Sequence, residues 1–349
     1  MRIAILGAGF SPIPPPMQGG TEWIVYHQAR ELAKRGHKIL LFAGRGTKEN
    51  FTDPNVEVLE INLEKAENDP SLTEGSRNLR LEMIILALVS QGLIDRKEDF
   101  ELILNNMRGE AVFLPIAKLI DKPFVNVMHL NLFPQLANLF AKYKTPIITI
   151  SKSQRKGFEN LNHLATVYNC VDTKKFVFND KPEDYLLMMA TIGRHKNQAS
   201  AIRVAKKLGM RLVLAGKIRD KDYFEEIKKE IDGEQIKYFG ELGFDQKLEL
   251  YQKAKVFIFP IKWNEPFGLV MIEAMSCGTP VAAFNKGAVP EVVVNGKSGF
   301  VVENEEAMEE ALKKIESISR EDCRKQVEEN FTVEKMIDDY EKALLSLSR

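Results

Sequence analysis

Four consecutive apolar residues, Val256-Phe257-Ile258-Phe259, run into a polar loop from Pro260 to Pro266, and a helical pattern follows from Phe267 to Ser276. An apolar run without alternation makes a strand whose two faces must both be covered, the situation of a parallel sheet between layers of helices. The unit recurs. Ile3 to Leu6, His37 to Ala43, Pro123 to Met128, Pro146 to Ile150, Tyr185 to Ala190 and Arg211 to Gly216 read as further buried strands, separated by helical patterns. Strand and helix in alternation predict parallel α/β architecture, and 349 residues are enough for two domains that each bury a core.

In open α/β sheets ligands lie beyond the carboxyl ends of the strands, so the 260–268 loop is a candidate site. Gly268 lets backbone approach a ligand, and the first helical N–H groups, unpaired and at the positive end of the macrodipole, favour a phosphate. Glu265 and Glu273 bracket this helix start with seven residues between them, a spacing that does not suit one face. A glycosidase-like acid–base pair is the rival reading. Neighbouring helix amides would keep both carboxylates ionised, which makes them hydrogen-bond acceptors for ligand hydroxyls.

The remaining composition narrows the choice. Forty-nine basic residues balance 49 acidic ones, so net charge points neither to nucleic acid nor to an anionic membrane. Cys170, Cys277 and Cys323 have no metal-ligand spacing and fit a reducing compartment, and the five histidines form no zinc motif. The N-terminal apolar run is too short for a signal peptide, and Met83 to Val89 falls far below the ~20 residues of a membrane span. The expectation is a soluble cytoplasmic protein.

Gly7-Ala8-Gly9 after the first strand suggests a dinucleotide fingerprint, but Pro12 stands where the third glycine belongs. Gly19-Gly20-Thr21 instead precedes a helical pattern, with room for phosphate at Gly20 and Thr21 as a cap. Lys65 to Ser76 reads as a polar loop, and Leu132 to Tyr143 as a helix that packs or touches a lipid acceptor. His129 follows the strand ending at Met128, a position more often structural than catalytic. Ser151 is placed to cap a helix through Arg155, and Val333 to Leu347 reads as the terminal helix.

Glu265-Pro266-Phe267-Gly268, Glu273-Ala274-Met275, Cys277-Gly278-Thr279-Pro280-Val281, Gly287, Pro290-Glu291 and Gly296 to Gly299 together resemble the signature of the family 4 retaining glycosyltransferases. The resemblance is dense over some forty residues and thinner elsewhere. It implies a GT-B fold, two Rossmann-like domains facing a central cleft, with a C-terminal helix crossing back. The domains are expected at 1–165, with 331–349 returning, and at 166–330. The resemblance assigns Glu265 to donor-sugar hydroxyls, Glu273 to the ribose, His129 to the sugar and Gly20 to the diphosphate. It also places Phe267, Gly268, Leu269 and Leu242 around the donor.

Two departures stand out. Cys170 replaces the glycine of an Asn-Gly-Val-Asp crossing, and Ala190-Thr191 occupy the place of a Gly-Arg pair that recurs three residues later as Gly193-Arg194. Lys196 falls where the family has its lysine, and it and Arg194 are the expected cations for the diphosphate. The implied activity is transfer of a sugar, with retention, from a nucleoside diphosphate sugar, a UDP-sugar foremost. The acceptor is a small molecule, glycan or lipid-linked sugar, no metal or other cofactor is required, and peripheral membrane contact stays open. The alternatives are a sugar-nucleotide epimerase of the same fold and a non-catalytic nucleotide-sugar binding protein.

Overall fold

A computed structural model describes residues 1–7, 9, 11–17, 19–61 and 74–347. Most of the polar loop expected from Lys65 to Ser76 lies outside these residues, as does Ala8; Glu74 to Ser76 are helical and open α2. The chain divides into two compact units, Met1–Ile150 with Arg155–Val167 and Ile337–Arg349, and Ser151–Gln154 with Tyr168–Met336.

In the first unit, strands β1 (Arg2–Leu6), β2 (Lys38–Gly44), β3 (Val56–Ile61), β4 (Leu102–Asn105), β5 (Phe124–Met128), β6 (Ile147–Thr149) and β7 (His163–Thr166) alternate with helices α1 (Gly20–Lys34), α2 (Glu74–Asp95), α3 (Glu110–Leu119) and α4 (Pro134–Tyr143). Among the described residues they form a parallel sheet in the order β3-β2-β1-β4-β5-β6-β7. Leu6, Phe42, Val89, Phe100, Phe113 and Phe140 fill one side of it. The strand β7 was not expected. Its sequence His-Leu-Ala-Thr is no apolar run, all four residues are half-buried, and its pairing with β6 carries a register shift, as suits a sheet edge.

In the second unit β8 (Leu186–Met189), β9 (Leu212–Ala215), β10 (Ile236–Tyr238), β11 (Val256–Phe259), β12 (Val281–Phe284) and β13 (Gly299–Val302) form a parallel sheet ordered β10-β9-β8-β11-β12-β13. Helices α5 (Gln198–Leu208), α6 (Lys221–Lys228), α7 (Phe244–Lys253), α8 (Leu269–Ser276), α9 (Val289–Val292), α10 (Glu305–Lys313) and α11 (Arg320–Asn330) connect and follow these strands. Every residue of β8, β9, β11 and β12 is buried, as their unalternating apolar runs require. The order reverses between β8 and β11, whose chains pair at Leu186–Val256 and Leu187–Phe257. That is the switch point, where ligands of open α/β sheets lie beyond the carboxyl ends of the strands.

The last helix, α12 (Val333–Leu345), ends two residues short of expectation, and its greater part belongs to the first unit. There Ile337, Tyr340 and Leu344 are fully buried, while Arg35 reaches Asp338 at 2.6 Å and Glu341 at 2.8 Å. His37 Nε2 lies 2.7 Å from the other Glu341 oxygen. Two expected caps are absent. Helix α1 starts at Gly20 with Gly19 as its cap and no side-chain bond from Thr21, and Ser151 begins no α-helix, only a single 3₁₀ turn at Ser153–Arg155.

Candidate active site

The two loops at the second unit's switch point are stitched together. Lys262 N–H donates to His195 O at 2.9 Å, and Asn197 Nδ2 to Pro260 O at 2.8 Å, with Asn197 in the left-handed region at φ 62°. Asparagine tolerates that conformation better than most residues. The stitching brings Lys196, from the loop after β8, against Glu265, from the loop after β11, with Nζ 2.7 Å from Oε2. Their side chains are 15% and 11% exposed, so the pair is shielded from bulk screening yet still open to a ligand. Trp263 Nε1 donates to the same oxygen at 2.9 Å, and the Lys196 ammonium lies 4.9 Å from the centre of the Trp263 ring and 5.5 Å from that of Phe259.

Glu265 is held from behind by backbone. Its carbonyl accepts Ala288 N–H at 2.8 Å, and Gly287, at φ 59°, packs so closely that a Cβ there would overlap the Glu265 backbone nitrogen and oxygen. Gly268 has φ 89° and serves as the N-cap of α8, so the helix opens at Leu269, not at Phe267. A positive φ is not helical, which moves the start by two residues. No side chain caps the first turn of α8; Met271 N–H donates to Gly268 O at 2.9 Å, and the amides of Leu269 and Val270 before it are the ones placed to meet an anion. Phe267 is buried against Tyr168 and Phe331, with ring centres 6.0 and 5.7 Å away, so it offers a ligand backbone only.

Glu273 lies in a separate cluster. Lys247 Nζ reaches its Oε1 at 2.7 Å, and the hydroxyl of fully buried Tyr251 donates to Oε2 at 2.8 Å. Burial and the neighbouring carboxylate push the Tyr251 phenol well above its ordinary range, which keeps it a donor. Arg194 takes a different direction from Lys196. Its guanidinium pairs with Glu226 and Asp220, lies 5.4 Å from the Tyr223 ring centre, and is 58% exposed. Leu242 sits in the half-buried turn between β10 and α7. The three thiols are buried, and Cys277 and Cys323 are pushed up to about 12 by that burial, which removes them as nucleophiles.

In the first unit, His129 follows β5 and donates from Nε2 to Asn106 Oδ1 at 2.9 Å; Asn106 Nδ2 donates in turn to Gln28 Oε1 at 2.9 Å. Burial lowers the imidazole to about 4, so it is neutral at pH 7, with Nδ1 left as an acceptor. Gly20 opens α1 with exposed backbone.

Trp263, Lys247, Tyr251, Asn106 and Gln28 were not anticipated. The only signal for Asn106 is a polar pair, Asn105-Asn106, closing an apolar strand; Lys247 and Tyr251 show only helical spacing of four.

Residues 172–332 match the family model described as Glycosyl transferases group 1. An uncharacterised glycosyltransferase of Methanocaldococcus jannaschii is 28% identical over 55% of this chain and 56% of its own. The O-antigen chain mannosyltransferase RfbU of Salmonella typhimurium is 27% identical over 44% and 45%. The chain thus spans about half the length of the curated relatives it matches. Among solved structures, Anabaena HepE in complex with UDP-glucose has a TM-score of 0.73 at 19% identity, covering 100% of this chain and 99% of that one. The sucrose-phosphate synthase of Thermosynechococcus elongatus has 0.75 at 16%, covering 99% and 98%. The fold class is GT-B. No helix among the described residues is long and apolar enough to cross a membrane.

Proposed function

We propose, with the group 1 glycosyltransferase match of residues 172–332 as premise, that this chain transfers a sugar from a nucleoside diphosphate sugar to an acceptor hydroxyl. The observation that carries the reading is the Lys196–Glu265 pair, held above the switch point of the second sheet beside the uncapped start of α8. A nucleotide-sugar needs both halves of that arrangement. Its diphosphate calls for a cation and free helix amides, and its sugar hydroxyls for an ionised acceptor. One solved structure of similar fold, Anabaena HepE, was determined in complex with UDP-glucose, which favours UDP as the nucleotide.

In the proposed reaction the acceptor oxygen attacks the anomeric carbon while the bond from that carbon to the diphosphate breaks. The bonding electrons go to the leaving phosphate, which takes the acceptor's proton from the same face, so configuration is retained. Lys196 balances charge that grows on the diphosphate and the α8 amides share it, while Glu265 fixes the sugar. His129, neutral at pH 7, is a hydrogen-bonding group and not a proton donor of the acid–base kind. Glu273 receives the ribose.

A thermal-shift panel of UDP-, GDP- and ADP-sugars tests the first step, because a ligand bound only by the native state raises Tm; saturation at 100 times Kd adds about 2.7 kcal/mol. One base should stand out, and release of the free nucleotide should follow with that donor. A flat panel would overturn the reading.

A further inference from the structure

We propose that Trp263 is the positioning residue that sets the plane of the Glu265 carboxylate and thereby the configuration of sugar the site accepts; the inference rests on the donor reading of this site. Lys196 Nζ and Trp263 Nε1 both meet Oε2, at 2.7 and 2.9 Å, and the described contacts of Glu265 leave Oε1 to the ligand. The two donors are unlike. An ammonium is a point charge with three rotatable N–H groups and holds an oxygen without fixing the plane behind it. An indole offers a single N–H in a rigid ring, so its bond fixes a direction.

The ring itself is held. The His195 imidazole packs edge-on against it with centres 5.6 Å apart, and the preceding residue, Lys262, is tied through its N–H to the carbonyl of the same histidine. The Lys196 ammonium over its face adds a further constraint. With the indole fixed, the carboxylate cannot turn about its last bond, and Oε1 stands at one place. A hydroxyl pointing there is accepted, and its epimer, pointing elsewhere, leaves a buried carboxylate oxygen unmatched. Sites built to pair a substrate hydroxyl discriminate strongly for that reason.

Trp263→Phe keeps a ring beside Lys196 and removes the N–H. With the donor base found by the panel, the ratio of kcat/KM between donors epimeric at a single sugar carbon should narrow about tenfold. The Kd for the free nucleoside diphosphate should stay within about twofold, because Lys196 and the α8 amides are untouched. A structural role alone would move stability and both donors together, leaving the ratio as it was. An active wild-type enzyme whose Trp263→Phe variant keeps the native ratio overturns the proposal. A wild-type chain inert to every donor overturns the transferase reading, and the proposal with it. The chain has two tryptophans, so a Trp23→Phe variant assigns the Trp263 indole proton by elimination in a nitrogen-edited spectrum. That proton should be protected from exchange, and Glu265→Ala should release it. Fast exchange in the native protein would overturn the proposal even if the Trp263→Phe variant does not fold.

Discussion

Both oxygens of Glu273 are engaged by its own chain, Oε1 by Lys247 and Oε2 by Tyr251, so truncating it removes more than an acceptor for a ligand. Glu273→Ala should weaken free nucleotide and nucleotide-sugar alike. It should also cost about 2 kcal/mol of stability, because the buried Tyr251 hydroxyl loses its partner. Glu265→Ala should leave free nucleotide binding nearly unchanged and cut transfer by ~10²-fold or more, the scale of a lost positioning contact. Calorimetry with the nucleotide, rates with the donor and urea melts on both variants separate these outcomes. Equal loss of nucleotide affinity in the two would refute the division. At this scale the two glutamates were singled out by the dense motif, and Lys196 by the thinner likeness around Gly193-Arg194. Their orienting partners escaped both. Trp263 is two residues from Glu265, and nothing in that spacing says the indole turns back on the carboxylate.

Helix α8 is held at both ends by other elements. Arg320 on α11 donates to the carbonyls of Asn179, Gln252, Ala254 and Cys277, and Arg324 to those of Thr173, Phe176 and Ser276, so cations stand at the helix's carboxyl end. Its amino end is fixed by the 260–268 loop, which leans on Gly287. Gly287→Ala meets two costs, a left-handed φ and overlap with the Glu265 backbone. It should lose at least about 2 kcal/mol in urea unfolding and drop transfer by ~10²-fold, with free nucleotide bound less than tenfold more weakly. A variant with native rates would show that the loop yields without harm. Central strands such as β8 and β11 were legible because burial on both faces demands unbroken apolar runs. The edge strand β7 and the absent Thr21 cap were not, since exposed edges and glycine-capped starts leave little trace in composition.

On the scale of the whole molecule, the second unit ends at Met336 and the first takes up the chain again at Ile337. Ile337, Tyr340 and Leu344 bury fully, and at roughly 2 kcal/mol for each large apolar side chain their removal is comparable with the net stability of a domain. Deleting 337–349 should therefore strip exchange protection from the amides of β1 and β2 while those of β8 and β11 keep theirs. Hydrogen exchange followed strand by strand checks this, and persistent protection in β2 would contradict it. A returning helix was legible through family likeness alone, because an amphipathic tail does not say on which sheet it lands.

Ser151–Gln154 are an island of the second unit within a stretch otherwise belonging to the first, and Glu291 on α9 anchors them by accepting the N–H groups of Lys152 and Ser153 at 2.7 and 2.6 Å. Counted along the chain there are four seams, at 150/151, 154/155, 167/168 and 336/337. For protein recombination this matters directly. A chimaera joined at residue 168 alone would inherit its anchoring carboxylate from one parent and the two amides from the other, and its tail helix from the wrong parent altogether. Crossovers that respect all four seams keep each half with its own parts.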